Sequence, residues 1–246
     1  VVTKTEVLKK MLKTCCVLML SLTFCSTKSS AQHYEMYNTE HDDLPYYFGI
    51  SLGYNTSFLH LANSARFIKT DSTLSANSIN SSGLNIGLSG TLRLSNRFEL
   101  RVNPQIIVGG SEIVSFLNYD YNADTVSRFQ LAMPTTLLSM PIHVKFNSDR
   151  IVNFKMYLFA GAKYDFDLSA NSNKRKYNTI QLQTSDFGLE LGIGCNFYLP
   201  VGIISPELKI SNGYLNKLKS EQTTALGNVF EKIQSRMIVF SIFLHD

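Results

Sequence analysis

The residues of this 246-residue chain best suited to chemistry are Ser139, His143 and the acids and lysines near them, because a hydroxyl, an imidazole and a carboxylate are the parts of nucleophilic acyl transfer. Their spacing argues against that use. Ser139, His143 and Lys145 alternate with Leu138, Met140, Ile142, Val144 and Phe146. A period of two is a strand, so Ser139 and His143 share its polar face, away from the apolar face along which acyl chains would arrive. No enzyme activity is expected. His33 and His41 lie among Glu35, Glu40, Asp42 and Asp43 in a polar stretch without period, where no ligand spacing is enforced. That stretch reads as a solvated tail rather than a metal site. Cys195 sits on the apolar side of its strand and reads as a small hydrophobe. A phosphate-cradling loop, zinc spacing and the basic and aromatic pattern of nucleic-acid binding are all missing, so no cofactor and no nucleic-acid partner are expected.

The elements that carry these side chains are more informative than the side chains themselves. Eight stretches alternate apolar and polar residues. In the clearest, Phe187, Leu189, Leu191, Ile193, Cys195, Phe197 and Leu199 form one row, and Gly188, Glu190, Gly192, Gly194, Asn196 and Tyr198 the other. Thirteen residues exceed what a soluble sheet usually needs but suit a strand tilted across a bilayer, where about 9–11 residues cross hydrocarbon. The first stretch carries Phe48, Ile50, Leu52 and Tyr54 against Gly49, Ser51, Gly53 and Asn55. The second carries Leu84, Ile86, Leu88, Leu92 and Leu94 against Asn85, Gly87, Ser89, Thr91 and Arg93. In the third, Phe98, Leu100, Val102, Ile106 and Val108 oppose Glu99, Arg101, Asn103 and Gln105, and Pro104 predicts a bulge or bend. The fifth runs Asn153–Leu168, the seventh Ile203–Tyr214 with Glu207 and Lys209 inward, and the eighth ends the chain with Ile238, Phe240, Ile242 and Leu244 outward. Connections after the odd strands are long and the others short. The fold expected is an all-β, eight-stranded antiparallel transmembrane barrel of the outer-membrane type, both termini periplasmic and the long loops extracellular. A soluble lipocalin-like barrel is the competitor, but it would reverse the two rows and has no reason to gather every long loop at one end.

Residues 1–31 read as a cleaved export signal. Lys9, Lys10 and Lys13 precede the apolar run Cys15–Phe24, and Ser29 and Ala31 supply the small residues before a cut at Gln32. Met11 is a plausible true start, which would place residues 1–10 upstream of it. A retained anchor would need about 20 apolar residues, and a lipoprotein cut at Cys25 would want a small residue where Phe24 stands. Residues 32–45 then form a flexible periplasmic leader and residues 46–246 the barrel. Without the signal the chain is formally neutral, so its basic pI carries no message about anionic partners, and Cys195 is the one cysteine left.

The inward row collects Arg93, Glu99, Arg101, His143, Lys145, Lys155, Lys163, Asp165, Asp167, Glu190, Glu207 and Lys209. Eight strands leave just enough interior for side chains to fill, so these charges must pair, and the row reads as a structural network rather than a conducting pore. Lys174, Arg175 and Lys176 in the loop Ser169–Asn178 read first as solvated surface and second as a lipopolysaccharide contact.

From the fourth strand onward the residues become specific. Met140 to Phe146, then Ser148, Arg150 and Asn153, lead into Tyr157 to Asp165 with Asp167 and Leu168. Phe98 to Arg101, Asp186 to Tyr198 around Glu190, Pro206 to Ile210, Gly213, Asn216, Ser235 and Arg236 continue the pattern. This resembles the PorT family of outer-membrane β-barrels associated with type IX secretion and gliding. The segment Pro141 to Asn216 is the specific part. The Ser/Asn-rich outer loops and the ending His245, Asp246 depart from it. The resemblance implies a component that supports protein secretion across the outer membrane, in contact with outer-membrane lipid and other secretion-system proteins, without catalytic residues. A stand-alone barrel that binds extracellular ligands or matrix through its loops is the alternative.

Overall fold

The computed structural model describes residues 35–63, 73–110, 112–120, 125–133, 135–169, 183–217 and 230–246. All but Glu35 of these belong to the compact unit Met36–Asp246; the unit Val1–Glu35, with the expected signal segment, otherwise lies outside the described residues. The basic run at Lys174 to Lys176 also lies outside them.

Among the described residues a 3-10 turn, Glu40–Asp43, precedes twelve strands: β1 (Tyr46–Asn63), β2 (Thr73–Ile79), β3 (Ser81–Arg93), β4 (Phe98–Val102), β5 (Gln105–Gly109), β6 (Glu112–Asp120), β7 (Thr125–Met133), β8 (Thr136–Asn147), β9 (Phe154–Asp167), β10 (Ser185–Leu199), β11 (Gly202–Gly213) and β12 (Phe230–His245). Nine of them form one antiparallel sheet that closes on itself: β1 pairs with both β12 and β3, and β8 with β9 and with both β4 and β5. Because β4 and β5 are two halves of one wall strand, the ring has the eight positions expected from the alternation.

Pro104 separates those halves without the bulge that was one of the two distortions expected there. Gly90 faces Val102 and Gly87 faces Gln105, the same offset on both sides of the gap, and Val102–Ile142 with Gln105–Ser139 repeat this on the β8 side. No residue is inserted. The ladder is interrupted because proline has no N–H to give: Leu88 N–H donates to Pro104 O at 2.9 Å and Asn103 N–H to Pro141 O at 3.1 Å, and neither proline can return the bond.

The rows sort as parity requires. Phe48, Leu84, Leu88 and Leu191 are each 63–68% exposed on the outside, whereas Arg101, His143 and Lys145 are fully buried inside. Apolar side chains facing out around a closed ring of charge make sense only if the ring stands in hydrocarbon. Leu191→Arg, halfway along β10, is therefore expected to cost about 2–4 kcal/mol of folding free energy in a bilayer. The measurement is urea unfolding in lipid vesicles; a cost under half a unit would remove the apolar belt from the hydrocarbon. The long-loop end of the lumen is apolar instead, with Ile107, Leu137, Met237 and Val239 buried in one cluster.

Three wall strands continue past the ring. β2, β6 and β7 form a separate sheet in that order, where the alternation predicts a Ser/Asn/Thr-rich long connection from Asn63 to Ser82 and a second long loop at Tyr119 to Thr125. Thr73–Ile79 carries little alternation of its own; its pairing with Ile113 to Asn118 recruits it, tertiary context overriding weak local preference. The corner into β6 is made by Gly109 and Gly110, with φ of 84° and 73°, a left-handed pair that side chains resist. Ser57 and Thr135 hydroxyls both donate to the Gly110 carbonyl, at 2.8 and 3.2 Å. Beyond it Val114 and Phe116 are wholly buried.

Candidate functional site

The charged part of the lumen depends on a row of missing side chains. Midway along β10 the inward positions run Gly188, Glu190, Gly192 and Gly194. A Cβ on Gly194 would lie 2.5 Å from Tyr157 Cζ, and one on Gly192 would collide with Phe159. The two aromatic rings of β9 therefore lie flat across β10, and Tyr157 Oη reaches over it to donate to Glu207 Oε1 on β11 at 2.5 Å. Glu207 receives both terminal nitrogens of Arg101 from β4, one of them at 2.9 Å to Oε2. The guanidinium is wedged between rings, 4.4 Å from the centroid of Phe243 and 5.1 Å from that of Phe159. A cation in this setting needs its carboxylate, and the fork-to-fork geometry is the strongest form of that contact.

Above it, His143 Nε2 lies 2.7 Å from Glu190 Oε2, and Lys209 Nζ donates to the same oxygen at 3.0 Å. Arg101 also reaches His143 Nδ1 at 3.4 Å, which joins the two clusters. Nearer the long-loop end of the same β8, Ser139 Oγ donates to Asp165 of β9 at 2.5 Å and Lys163 pairs with the other oxygen of that carboxylate at 2.5 Å. Ser139 and His143 are thus engaged with different carboxylates rather than with each other. Asp167 stands apart from the network: it accepts from Ser169 N–H and Oγ at 2.8 and 2.7 Å and shapes the turn after β9.

Toward the short-turn end, Glu99 accepts from Tyr47 Oη at 2.9 Å, pairs with Lys145 at 3.2 Å and lies 3.6 Å from Arg93. Here the structure departs from the flexible leader expected for residues 32–45. From Tyr37 to Leu44 the chain enters the mouth of the barrel. Asp42 Oδ2 accepts from Arg150 at 2.7 Å; its Oδ1 lies 3.2 Å from the Tyr198 hydroxyl and 3.6 Å from Lys155, and its carbonyl accepts from Arg93. Arg150 also donates to the Tyr37 carbonyl and lies 3.6 Å above the Tyr198 ring. Burial alone would raise the Asp42 carboxyl, but the Arg150 hydrogen bond and the Lys155 and Arg150 charges outweigh it and hold it below its ordinary range. His41, expected in a solvated tail, is 6% exposed and packs on Tyr47 with ring centroids 4.5 Å apart. Burial, with Arg93 close by, pushes its imidazole down to about 4.

Asp42 and Arg150 are the site residues that periodicity could not reveal; Tyr198 already stood in the inward row of its strand, and Tyr47 shares the parity of Gly49 and Ser51. The charge count gave no signal for Asp42: with the buried Asp186 of β10, the inward row holds Glu99, Asp165, Asp167, Asp186, Glu190 and Glu207 against Arg93, Arg101, Lys145, Lys155, Lys163 and Lys209, six against six. Among the described residues no group of three or more His, Cys, Asp or Glu side chains is placed to hold a metal ion. The arrangement can neutralise and stiffen: the carboxylate that takes the Ser139 hydroxyl is already paired with Lys163, and His143 is held by Glu190 instead.

Residues 31–217 match a family model described as "Outer membrane protein beta-barrel domain". The chain is also similar to solved structures, among them the outer membrane protein OprG from Pseudomonas aeruginosa (14% identity over 81% of this chain and 93% of that one, TM-score 0.40). Neisserial surface protein A is another (12% identity, 80% and 96%, TM-score 0.39). A third is Ail, the attachment invasion locus protein of Yersinia pestis (12% identity, 82% and 100%, TM-score 0.38). No curated protein matches the sequence.

Proposed function

The chain belongs to the outer membrane protein β-barrel domain family, and from that premise we propose that it is a non-enzymatic component of type IX secretion machinery, one that supports translocation without being the conduit. The carrying observation is the filled lumen. Residues Tyr37 to Leu44 occupy one mouth, paired charges the middle, and Ile107, Leu137, Met237 and Val239 the other end. Eleven of the twelve inward residues act as a structural network that stiffens this filling; the twelfth, Asp167, shapes the rim. A barrel filled in this way acts through its outer surfaces, so its partners are outer-membrane lipid and neighbouring secretion proteins.

The secretion assignment is supported by the PorT-like residues from Pro141 to Asn216. Barrels of this kind keep short turns in the periplasm and long connections outside. That rule assigns the turns after β3, β8 and β10, the docked Tyr37–Leu44 segment and Asp246 to the periplasm. The second reading, a stand-alone barrel that binds extracellular ligands or matrix, is favoured by one feature, the β2–β6–β7 sheet that rises from the loop end.

Affinity purification from gently solubilised, crosslinked outer membranes separates them. With a tag in an extracellular loop, a large barrel and other secretion proteins are expected to come with this chain, identified by mass spectrometry. Recovery of the chain alone after crosslinking would reject the secretion role.

A further inference from the structure

The wall strands are paired on both sides, as a barrel in hydrocarbon requires. The outer sheet is different. β6 is its central strand; the far side of β2 is turned toward β1, whose Leu59 N–H donates to Ser78 Oγ at 2.8 Å. β7 pairs with β6 from Asp120–Thr125 to Glu112–Met133 and, among the described residues, with nothing on its other side. Residues 125–128, 130 and 132 are exposed.

We propose that the outer edge of β7 is a strand-addition site for an extended polypeptide at the loop end of the barrel. The edge is nine residues long, about 30 Å at 3.4 Å per residue. It lacks the usual devices that blunt an edge: Thr125–Met133 contains no proline and no glycine, and Arg128 is its one charge. Alternate N–H and C=O groups along such an edge select extended backbone rather than a sugar or a lipid, because only another strand matches their spacing. Val126, 55% exposed, gives the incoming chain an apolar contact. The sheet is braced against recoil by the buried Val114 and Phe116 of β6, so the edge is presented already formed and little ordering is lost on binding. This inference rests on the sheet alone and is independent of the secretion reading.

The test uses the full mature protein in nanodiscs and, as the probe, a fluorescent peptide of the β6 sequence from Glu112 to Asp120, which already pairs with β7 on the other side. Amide hydrogen exchange is followed residue by residue. In the free protein the β7 amides are expected to exchange in alternation, the set that faces away from β6 being fast. The peptide should slow that set at least tenfold, and the same peptide carrying Leu117→Pro should not. Proline placed at whichever of Ser127 or Arg128 exchanges fast (Ser127→Pro or Arg128→Pro) removes one outward donor and spares the β6 ladder. It should weaken the peptide at least tenfold while the slow set stays slow. Uniform protection of β7 in the free monomer would overturn the proposal, since another segment of the chain would then cover the edge. Protection that appears only with concentration and tracks dimer formation would also overturn it, with a second copy as the occupant. A probe that leaves the fast amides fast overturns it outright.

Discussion

Glu207→Ala is expected to cost about 3–5 kcal/mol and to leave most of the protein unfolded in mild detergent. Arg101 and Glu207 are 0% and 2% exposed, so removing the carboxylate strands a guanidinium between Phe159 and Phe243 with no water to replace its partner. Tyr157 Oη loses its acceptor in the same step. The penalty belongs to the orphaned charge rather than to the pair, and that yields the decisive control: Arg101→Leu combined with Glu207→Leu should recover most of the loss, because apolar side chains of similar bulk replace two desolvated ions. Heat-modifiable gel mobility and urea unfolding of the single and double variants measure both arms. A Glu207→Ala barrel as stable as the parent would mean that the lumen is wet there and the network does not hold the walls.

Acidification is expected to release the Tyr37–Leu44 segment from the barrel mouth. His41 titrates at about 4 when docked and near 6.5 when free, so the free segment binds the extra proton first. The sign follows: docking is fully favourable above about pH 6.5 and weakens as pH falls toward 4, by about 3 kcal/mol across that window. Burial is the main opposition to a charged imidazole there; Arg93 and Lys155 add to it, and Asp42 and Glu99 act against it. Asp42 acts in a separate window, since its carboxyl is held below its ordinary value and its contribution disappears only at still lower pH. A fluorophore on Thr39→Cys in a Cys195→Ser background should lose anisotropy between pH 7.5 and 4.5. His41→Phe should abolish that change, and Arg150→Ala should give the released value at every pH. Constant anisotropy in the parent protein would show that His41 does not govern docking.

The alternation in Phe187–Leu199 determined strand, face and environment together, because a period of two ties them and a closed ring in hydrocarbon admits one assignment of the faces. Parity also placed Arg101 and Glu207 inside. It could not pair them, since β4 and β11 are joined only across the lumen, a distance set by ring closure and by which inward positions are glycine. The leader was misread for a related reason: Asp42 and His41 have no period, and what orders them is Arg150 in a turn and Lys155 on a wall more than a hundred residues away. In the outer sheet the strand signal of Thr73–Ile79 is too weak to stand without β6.

The seam between β1 and β12 runs from Gly49–His245 to Asn63–Phe230 and joins nearly the two ends of the barrel sequence. Loop-closure entropy makes so distant a pairing the last and slowest step of folding. Until β12 arrives, β1 carries an unsatisfied edge at the level of the lipid tails, where water cannot serve it. The lifetime of that open intermediate, rather than the depth of the native well, then sets how much chain is lost before the barrel closes. Substitutions in β12 should therefore reduce yield well before they change the unfolding of barrels that have already closed.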